Sequence, residues 1–214
     1  MNKSEVLSRI RECGVLPVIR ASSKEEALSI IDAIVAGGID TIEVTMTVPN
    51  AVELIAKLSI REDLLIGAGS VLDPEQARDC INAGAKFIVS PATNFDTIKY
   101  CNEKEIVVMP GALTPTEILN ASEAGADIVK VFPADSMGGA KYLRSLKAPM
   151  PHLKLIPTGG VDQSTAADFI KAGAEAIGVG ADLVDLKAIR EGRAADITNA
   201  AKKYREIVRS ARNE

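Results

Sequence analysis

The stretch AGADIVKVFP, residues 124–133, contains the two features that decide the fold. Gly125 follows a helical pattern, and glycine just beyond a helix takes the left-handed conformation at little cost. The apolar run after it, Ile128–Pro133, is typical of a strand buried on both faces of a parallel sheet. Lys130 lies in the middle of that run, where a lysine must either reach water or take part in chemistry. We predict a helix-to-strand joint that carries a reactive amine.

The same joint occurs three more times along the chain. The equivalent triplets are Ala36–Gly37–Gly38, Ala83–Gly84–Ala85 and Ala172–Gly173–Ala174, and the central glycines of all four are 47, 41 and 48 residues apart. Two strand–helix units occupy about that length. Four repeats therefore imply eight units, and the sequence predicts one domain, residues 1–214, folded as a (β/α)8 TIM barrel. A doubly wound open sheet is the alternative.

The individual elements can be placed on the apolar runs and on the helix-start signals. The eight predicted strands are Leu16–Arg20, Thr41–Met46, Leu64–Ser70, Phe87–Pro91, Ile106–Gly111, Ile128–Pro133, Leu153–Gly159 and Ala176–Gly180. An extra helix over residues 2–13 precedes them, and the last helix covers roughly Asp185–Arg212. Helix starts are predicted at Ser22, Asp73 and Thr114, each followed three residues later by Glu or Gln.

Composition narrows the classes of function. Apolar residues make up 47% and charged residues 25%, as in a soluble globular protein. A net charge of −4 without a basic run argues against nucleic-acid binding, and no stretch approaches the ~18 apolar residues of a membrane span. Met1–Glu12 lacks the apolar run of a signal peptide. Cys13, Cys80 and Cys101 are odd in number and widely spaced, so we expect reduced thiols in a cytoplasmic protein.

A metal site is not expected from these residues. His152 is the only histidine, no cysteine pair has ligand spacing, and a zinc enzyme usually needs two or three such ligands. His152 follows Pro151 in a predicted loop, which favours a solvated side chain over a member of a catalytic triad.

Four polar residues interrupt apolar strands: Arg20, Glu43, Thr45 and Lys130. Catalytic groups of a barrel lie inside it, towards the carboxyl ends of the strands. Because burying an isolated charge is costly, we expect Glu43 and Lys130 to face one polar cavity; a purely structural salt bridge is the alternative. An uncharged lysine can form a Schiff base with a carbonyl substrate, and Glu43 can transfer protons.

Glycine-rich strand ends supply a second candidate site. Pro157–Gly160 ends the seventh predicted strand and Gly178–Gly180 ends the eighth. Their backbone N–H groups, with the start of a short helix predicted at Ala181, make the usual phosphate cradle of barrels. Gly67–Gly69 is not a dinucleotide fingerprint, because the third glycine is missing.

Taken together, these motifs resemble the class I 2-keto-3-deoxy-6-phosphogluconate (KDPG) / 2-keto-4-hydroxyglutarate (KHG) aldolases over nearly the whole chain. The matching segments are Leu16–Ile19, Ile42–Thr45, Gly67–Ser70, Val89–Pro91, Met109–Gly111, Lys130–Ala134 and Pro157–Gly160. The resemblance implies a (β/α)8 barrel, usually a homotrimer. It also implies Lys130 as the Schiff-base lysine and Glu43 as the general acid/base.

The resemblance, with the strand-end residues, also gives candidate binding positions. Candidate substrate-binding residues are Arg20, Thr45, Thr47, Ser70, Pro91, Phe132 and Thr158, and candidate phosphate-binding residues are Gly159, Gly160, Gly180 and Ala181. Thr47 stands where some members have a carboxylate-binding arginine, and we hypothesise that Arg20 supplies this charge instead. Ala181 stands where the family often has a phosphate-binding serine, which leaves unphosphorylated keto acids as further candidate substrates.

The implied activity is cleavage of KDPG, an Entner–Doudoroff reaction, to pyruvate and glyceraldehyde 3-phosphate, with 4-hydroxy-2-oxoglutarate as a second candidate substrate. It needs no metal or organic cofactor, and the expected partner is a small keto acid. The alternatives are an aldolase for the galactonate series, a barrel decarboxylase, a non-catalytic sugar-acid-binding barrel and a pyridoxal-phosphate barrel. The C4 stereochemistry of the substrate does not follow from the sequence.

Overall fold

The computed structural model describes residues 1–213, in which short strands alternate with helices. The strands are β1 Val15–Ile19, β2 Thr41–Thr45, β3 Leu65–Gly69, β4 Phe87–Val89, β5 Val107–Met109, β6 Gly111–Ala112, β7 Val129–Val131, β8 Leu155–Pro157 and β9 Ile177–Val179. The helices are α1 Lys3–Cys13, α2 Lys24–Ala36, α3 Ala51–Ser59, α4 Pro74–Asn82, α5 Phe95–Glu103, α6 Pro115–Glu123, α7 Ala140–Lys147, α8 Ala166–Lys171, α9 Leu186–Arg190 and α10 Ala194–Asn213.

The strands form a curled parallel sheet. One part has the order β5-β4-β3-β2-β1-β9 and the other has the order β6-β7-β8. Every pairing is parallel, neighbours follow the chain order, and the first strand pairs with the last. This order contradicts the doubly wound alternative, in which the strand order reverses.

Helix α1 covers the amino end of the inner face of the sheet. Asn2 and Glu5 form a capping box that starts this helix, and Gly14 ends it with a φ of 69°. Val6 and Ile10 of α1 pack into a cluster with inward-facing strand residues such as Phe87. A larger core lies between the outer face of the sheet and the other helices.

The glycine joints follow the prediction at three of four places. Positive φ angles of 103°, 100° and 90° are found at Gly84, Gly125 and Gly173. In the first joint the prediction is wrong by one residue, because Gly38 takes the left-handed conformation and Gly37 has a φ of −85°. Gly37 is needed for packing instead: a Cβ there would lie 2.4 Å from the Cβ of Ala201 on α10.

Two of the predicted helix starts are confirmed and one is shifted. The side chains of Asp73 and Thr114 each accept a hydrogen bond from the backbone N–H three residues on. The start predicted at Ser22 is wrong by one residue, because Ser23 accepts the bond from the N–H of Glu26, at 3.1 Å. Because Ser22 is followed by Ser23 and Glu25 by Glu26, the sequence fits a helix start at either serine.

The predicted last helix is interrupted. It divides into α9 and α10, and Gly192 between them has a φ of 72°. Within residues 1–213 there is no helix whose length and apolarity would let it cross a membrane. The cysteines, Cys13, Cys80 and Cys101, are buried free thiols, and burial raises the pKa of Cys80 to about 11 and that of Cys101 to about 12.

Candidate active site

Lys130 and Glu43 meet on the inner face of the curled sheet. Lys130 comes from β7 and Glu43 from β2, and their Nζ and Oε1 atoms are 3.8 Å apart. The side chains are only 7% and 1% exposed. The structure therefore brings together, in one buried place, the two charges that the sequence singled out.

The carboxyl group of Glu43 is unusual in two respects. Its Oε1 atom is buried and has no hydrogen-bond partner within residues 1–213. Burial raises the pKa of Glu43 above its ordinary value, while the positive charges of Lys130 and Arg20 oppose that rise. A carboxyl with a raised pKa and a free oxygen is suited to exchanging protons with a neighbouring group.

Gly69 makes the room that this carboxyl group occupies. Strand β3 pairs with β2 so that Thr45 lies opposite Gly69. A Cβ on Gly69 would lie only 1.9 Å from Oε1 of Glu43. Sequence reasoning gave Gly69 no role beyond the family match. The available signal was a glycine near the carboxyl end of the strand that follows the glutamate strand.

Phe132 joins the amine to a cavity at the carboxyl ends of the strands. Nζ of Lys130 lies 5.4 Å from the centre of the Phe132 ring, within range of a cation–π contact. Phe132 and Pro91 both line a cavity of about 480 Å³, together with the exposed ring of Phe95. Neither Lys130 nor Glu43 lines this cavity directly.

The predicted substrate-binding residues on or just after β1 and β2 differ in their exposure: Thr45 is buried, whereas Arg20 and Thr47 are exposed. The buried hydroxyl of Thr45 donates to the carbonyl of Ile19 at 2.8 Å, and its oxygen lies 2.6 Å from that of Thr47. Thr45 thus joins β1 to β2, while Thr47 and Arg20 are exposed at the rim. Ser70, directly after β3, has a φ of 59°, a conformation that costs a non-glycine residue on the order of 1 kcal/mol.

The loop after β1, which carries Arg20, is held by a polar cluster that the sequence did not reveal. The Glu26 carboxylate accepts hydrogen bonds from the backbone N–H and hydroxyl of Ser22, both at 2.7 Å, and from Nε of Arg190 on α9, also at 2.7 Å. These bonds outweigh desolvation and lower the pKa of Glu26 to about 2.

The predicted phosphate residues lie side by side beyond β8 and β9. Thr158 forms an isolated parallel β-bridge with Gly178. A Cβ on Gly178 would lie 2.1 Å from Oγ1 of Thr158. Gly159 and Gly160 follow with φ angles of 95° and 67°. Within residues 1–213, no protein acceptor takes a hydrogen bond from the backbone N–H of Gly159, Gly160, Gly180 or Ala181.

The short helix predicted at Ala181 is absent from this part of the structure. The N–H groups of Leu183 and Val184 bond instead to the carbonyl of Gly180, at 3.0 and 2.9 Å, and form a turn. Helix α9 begins only at Leu186. Any anion there would therefore be bound by free N–H groups and not by a helix N-terminus.

Metal-ligating side chains do not cluster in the described chain. Within residues 1–213, no group of three or more His, Cys, Asp and Glu side chains could hold an ion. His152 is exposed in a turn before β8, as predicted.

The chain is similar to a known family of proteins over most of its length. The family model "KDPG and KHG aldolase" matches residues 6–200. The 2-dehydro-3-deoxy-phosphogluconate aldolase of Treponema pallidum is 34% identical over 95% of this chain and 96% of its own. The 2-dehydro-3-deoxy-6-phosphogalactonate aldolase of Escherichia coli K12 is 32% identical over 91% of this chain and 96% of its own.

A solved structure is similar over almost the same length. It is the KDPG aldolase of Legionella pneumophila with pyruvate captured as a covalent carbinolamine. The TM-score is 0.85 at 30% identity, covering 92% of this chain and 96% of that one.

The curled parallel sheet, the buried lysine and carboxylate, and these relatives define an aldolase, an enzyme of the carbon–carbon lyase class. More narrowly, the chain belongs to the KDPG and KHG aldolase family.

Proposed function

We propose that the enzyme is a Schiff-base aldolase that cleaves KDPG to pyruvate and glyceraldehyde 3-phosphate. One observation carries the proposal: a nearly inaccessible lysine amine lies 3.8 Å from a buried carboxyl oxygen that has no other partner within residues 1–213. A structural salt bridge would normally satisfy its remaining lone pairs with further hydrogen bonds. The free oxygen of Glu43 favours a group that is waiting for a substrate or a water molecule.

The first half of the reaction forms the Schiff base. The amine of Lys130, in its uncharged form, attacks the C2 carbonyl carbon of the substrate, and Glu43 transfers a proton from the nitrogen to the developing alkoxide. The resulting carbinolamine loses water, with Glu43 supplying the proton, and leaves a protonated imine. The relative with a captured carbinolamine supports this order of events.

The second half breaks the carbon–carbon bond. A base, Glu43 directly or through one water, removes the proton of the C4 hydroxyl, and the C3–C4 electrons move onto the imine. Glyceraldehyde 3-phosphate leaves, and C3 of the remaining enamine takes up a proton. Water then adds to the imine, which releases pyruvate and restores Lys130.

The remaining predicted residues bind the two ends of the substrate. After Lys130, Arg20 is the second cation whose field reaches Glu43, so we assign it to the substrate carboxylate. Thr158 is 8% exposed, and we assign it, with Ser70, Thr47, Pro91 and Phe132, to the body of the keto acid. The free N–H groups of Gly159, Gly160, Gly180 and Ala181 receive the phosphate. Thr45 acts mainly by holding β1 against β2.

Borohydride trapping tests this function. With pyruvate, reduction is expected to attach a three-carbon adduct to Lys130, found by peptide mass mapping, and Lys130→Met is expected to abolish both the adduct and cleavage. A decarboxylase would give no such adduct, and a pyridoxal-phosphate enzyme would show an aldimine absorption before any addition. Pyruvate release is followed with lactate dehydrogenase as the coupling enzyme. An adduct on another lysine would refute the assignment.

The galactonate-series substrate is the second candidate function. The relative from Escherichia coli K12 that is named for it is nearly as similar to this chain as the gluconate aldolase from Treponema pallidum. Measuring kcat/KM for the gluconate-series acid, the galactonate-series acid and 4-hydroxy-2-oxoglutarate identifies the preferred substrate, which is the one with the highest value.

We also propose that the curled sheet closes into a (β/α)8 barrel. Pro110 alone separates β5 from β6, and its carbonyl accepts a bond from the N–H of Lys130 at 2.8 Å. On the other side, the Thr158–Gly178 bridge and the bond from the N–H of Glu175 to the carbonyl of Leu155, at 2.9 Å, join β8 to β9. Slow hydrogen exchange at the Glu175 amide is expected if the ring is closed.

The family resemblance further supports a homotrimer, and the free thiols support a cytoplasmic location. Light scattering should give three times the mass of one chain, and cell fractionation tests the location.

A further inference from the structure

The turn that follows β9 is tied to the last helix by one partly buried hydrogen bond, between the buried Tyr204 and the exposed Asp182. Tyr204 on α10 is fully buried, and its hydroxyl donates to Oδ2 of Asp182 at 2.5 Å. Burial and the neighbouring Asp182 carboxylate raise the pKa of Tyr204, so the hydroxyl keeps its proton and remains a donor. Nothing in the proposed chemistry uses either side chain.

Asp182 lies in this turn between the proposed phosphate-binding N–H groups and the buried Leu183. It directly follows Gly180 and Ala181, whose N–H groups have no protein acceptor within residues 1–213. Leu183, on its other side, is fully buried and donates its N–H to the carbonyl of Gly180. The turn is therefore anchored by the buried side chains of Leu183 and Val184 and by the hydrogen bond to Tyr204.

We infer that Tyr204 is a positioning residue for the phosphate end of the substrate, and that it acts through Asp182. This inference rests on the proposed phosphate site. Backbone N–H groups bind an anion well only when they are held in one direction, since a mobile turn must be ordered when the ligand binds. The hydrogen bond also fixes the Asp182 carboxylate, which would otherwise be free to approach the phosphate and repel it.

Three variants test the inference, with 3-phosphoglycerate as the binding probe in calorimetry. Tyr204→Phe keeps the buried ring and removes the bond, and Asp182→Ala removes the same bond from the other side. Both should weaken binding of the probe about tenfold, the usual worth of one hydrogen bond to a charged group. Asp182→Asn keeps an acceptor oxygen and should retain most of the affinity. The double variant Tyr204→Phe/Asp182→Ala should be no worse than either single one.

The kinetic readout separates positioning from a general effect on the fold. Tyr204→Phe should lower kcat/KM for KDPG about tenfold, yet leave 4-hydroxy-2-oxoglutarate, which has no phosphate, within about twofold. Tyr142→Phe is the matched control. Tyr142 lies on α7, and its hydroxyl donates to the carbonyl of Leu113 in a loop at another part of the rim, at 2.5 Å. It should not change the preference for phosphate.

Equal losses on both substrates, or no loss on either, would overturn the inference. So would a wild-type protein that fails to bind the probe, while trapping of pyruvate on Lys130 would independently uphold the proposed function. A third outcome separates the two proposals. If pyruvate is not trapped on the wild type, but the wild type binds the probe and Tyr204→Phe binds it more weakly, the positioning role is upheld and the aldolase chemistry is refuted.

Discussion

Replacing Gly69 by alanine should remove activity without unfolding the protein. The added Cβ would lie 1.9 Å from Oε1 of Glu43 and 2.5 Å from its Cγ and Cδ atoms. Ordinary van der Waals contact begins at 3.4 Å, so the oxygen has to retreat by about 1.5 Å. The carboxyl group would then leave the place in which it meets Lys130.

The expected loss follows from this displacement. Misplacing a catalytic group by about 1 Å can cost about 10²-fold in rate. A retreat of 1.5 Å should therefore lower kcat by at least that factor, which corresponds to about 2.7 kcal/mol of barrier. The overpacking itself should lower the free energy of unfolding by about 1–3 kcal/mol, which a folded domain can tolerate.

Gly67→Ala is the matched control, because Gly67 lies two residues earlier on the same strand. There the added Cβ would lie 2.2 Å from the ring of Phe87, in the apolar cluster. This variant should lose stability, measured by urea unfolding, but keep its activity per folded molecule in the coupled pyruvate assay. If Gly69→Ala retained more than a fifth of wild-type kcat, or if both variants lost activity equally, the reasoning would be refuted.

Three further outcomes can be checked. Arg20→Ala removes a cation that stabilises ionised Glu43, so the pKa of Glu43 rises and the acid limb of the pH–rate profile should move to higher pH; KM for the keto acid should rise about tenfold. Ala181→Ser should lower KM for the phosphorylated substrate about fivefold, worth about 1 kcal/mol, and leave the unphosphorylated one unchanged. Because the pKa of Glu26 is lowered to about 2, its ionised form stabilises the fold above pH 4.5, and this contribution is lost as the pH falls towards 2. Glu26→Gln should therefore be less stable than wild type by about 1 kcal/mol at pH 7, allowing for solvent screening, and the difference in urea unfolding should vanish near pH 2.

The reactive pair could be found from sequence because its signal is local. A charged residue inside an apolar strand is conspicuous, and Lys130 and Glu43 each lie between two β-branched residues. The strands could be found for the same reason, although most of the apolar runs are longer than the strand that forms within them, and the first is shifted by one residue. Phe87–Pro91 was predicted, and only Phe87–Val89 pairs.

The structural features that the sequence did not predict depend on contacts between segments that are distant in the chain. Position 37 needs a glycine because Ala201, from the far end of the chain, packs where a Cβ would lie. The bond between Tyr204 and Asp182 joins α10 to the turn after β9, and no local pattern pairs two residues that lie 22 positions apart. Gly69 matters only because the pairing of β2 with β3 puts it beside Glu43.

Strand β7 explains why one register serves both the fold and the chemistry. Its alternation sends Val129 and Val131 to the helix side and Ile128 to the inner cluster, so Lys130 must face inward as well. The pairing of Lys130 with Gly111 and with Ile156 fixes this alternation from both sides. A slip of one residue would exchange the faces, moving the amine among the helices and a valine towards Glu43. The apolar packing that selects the register therefore also selects the position of the amine.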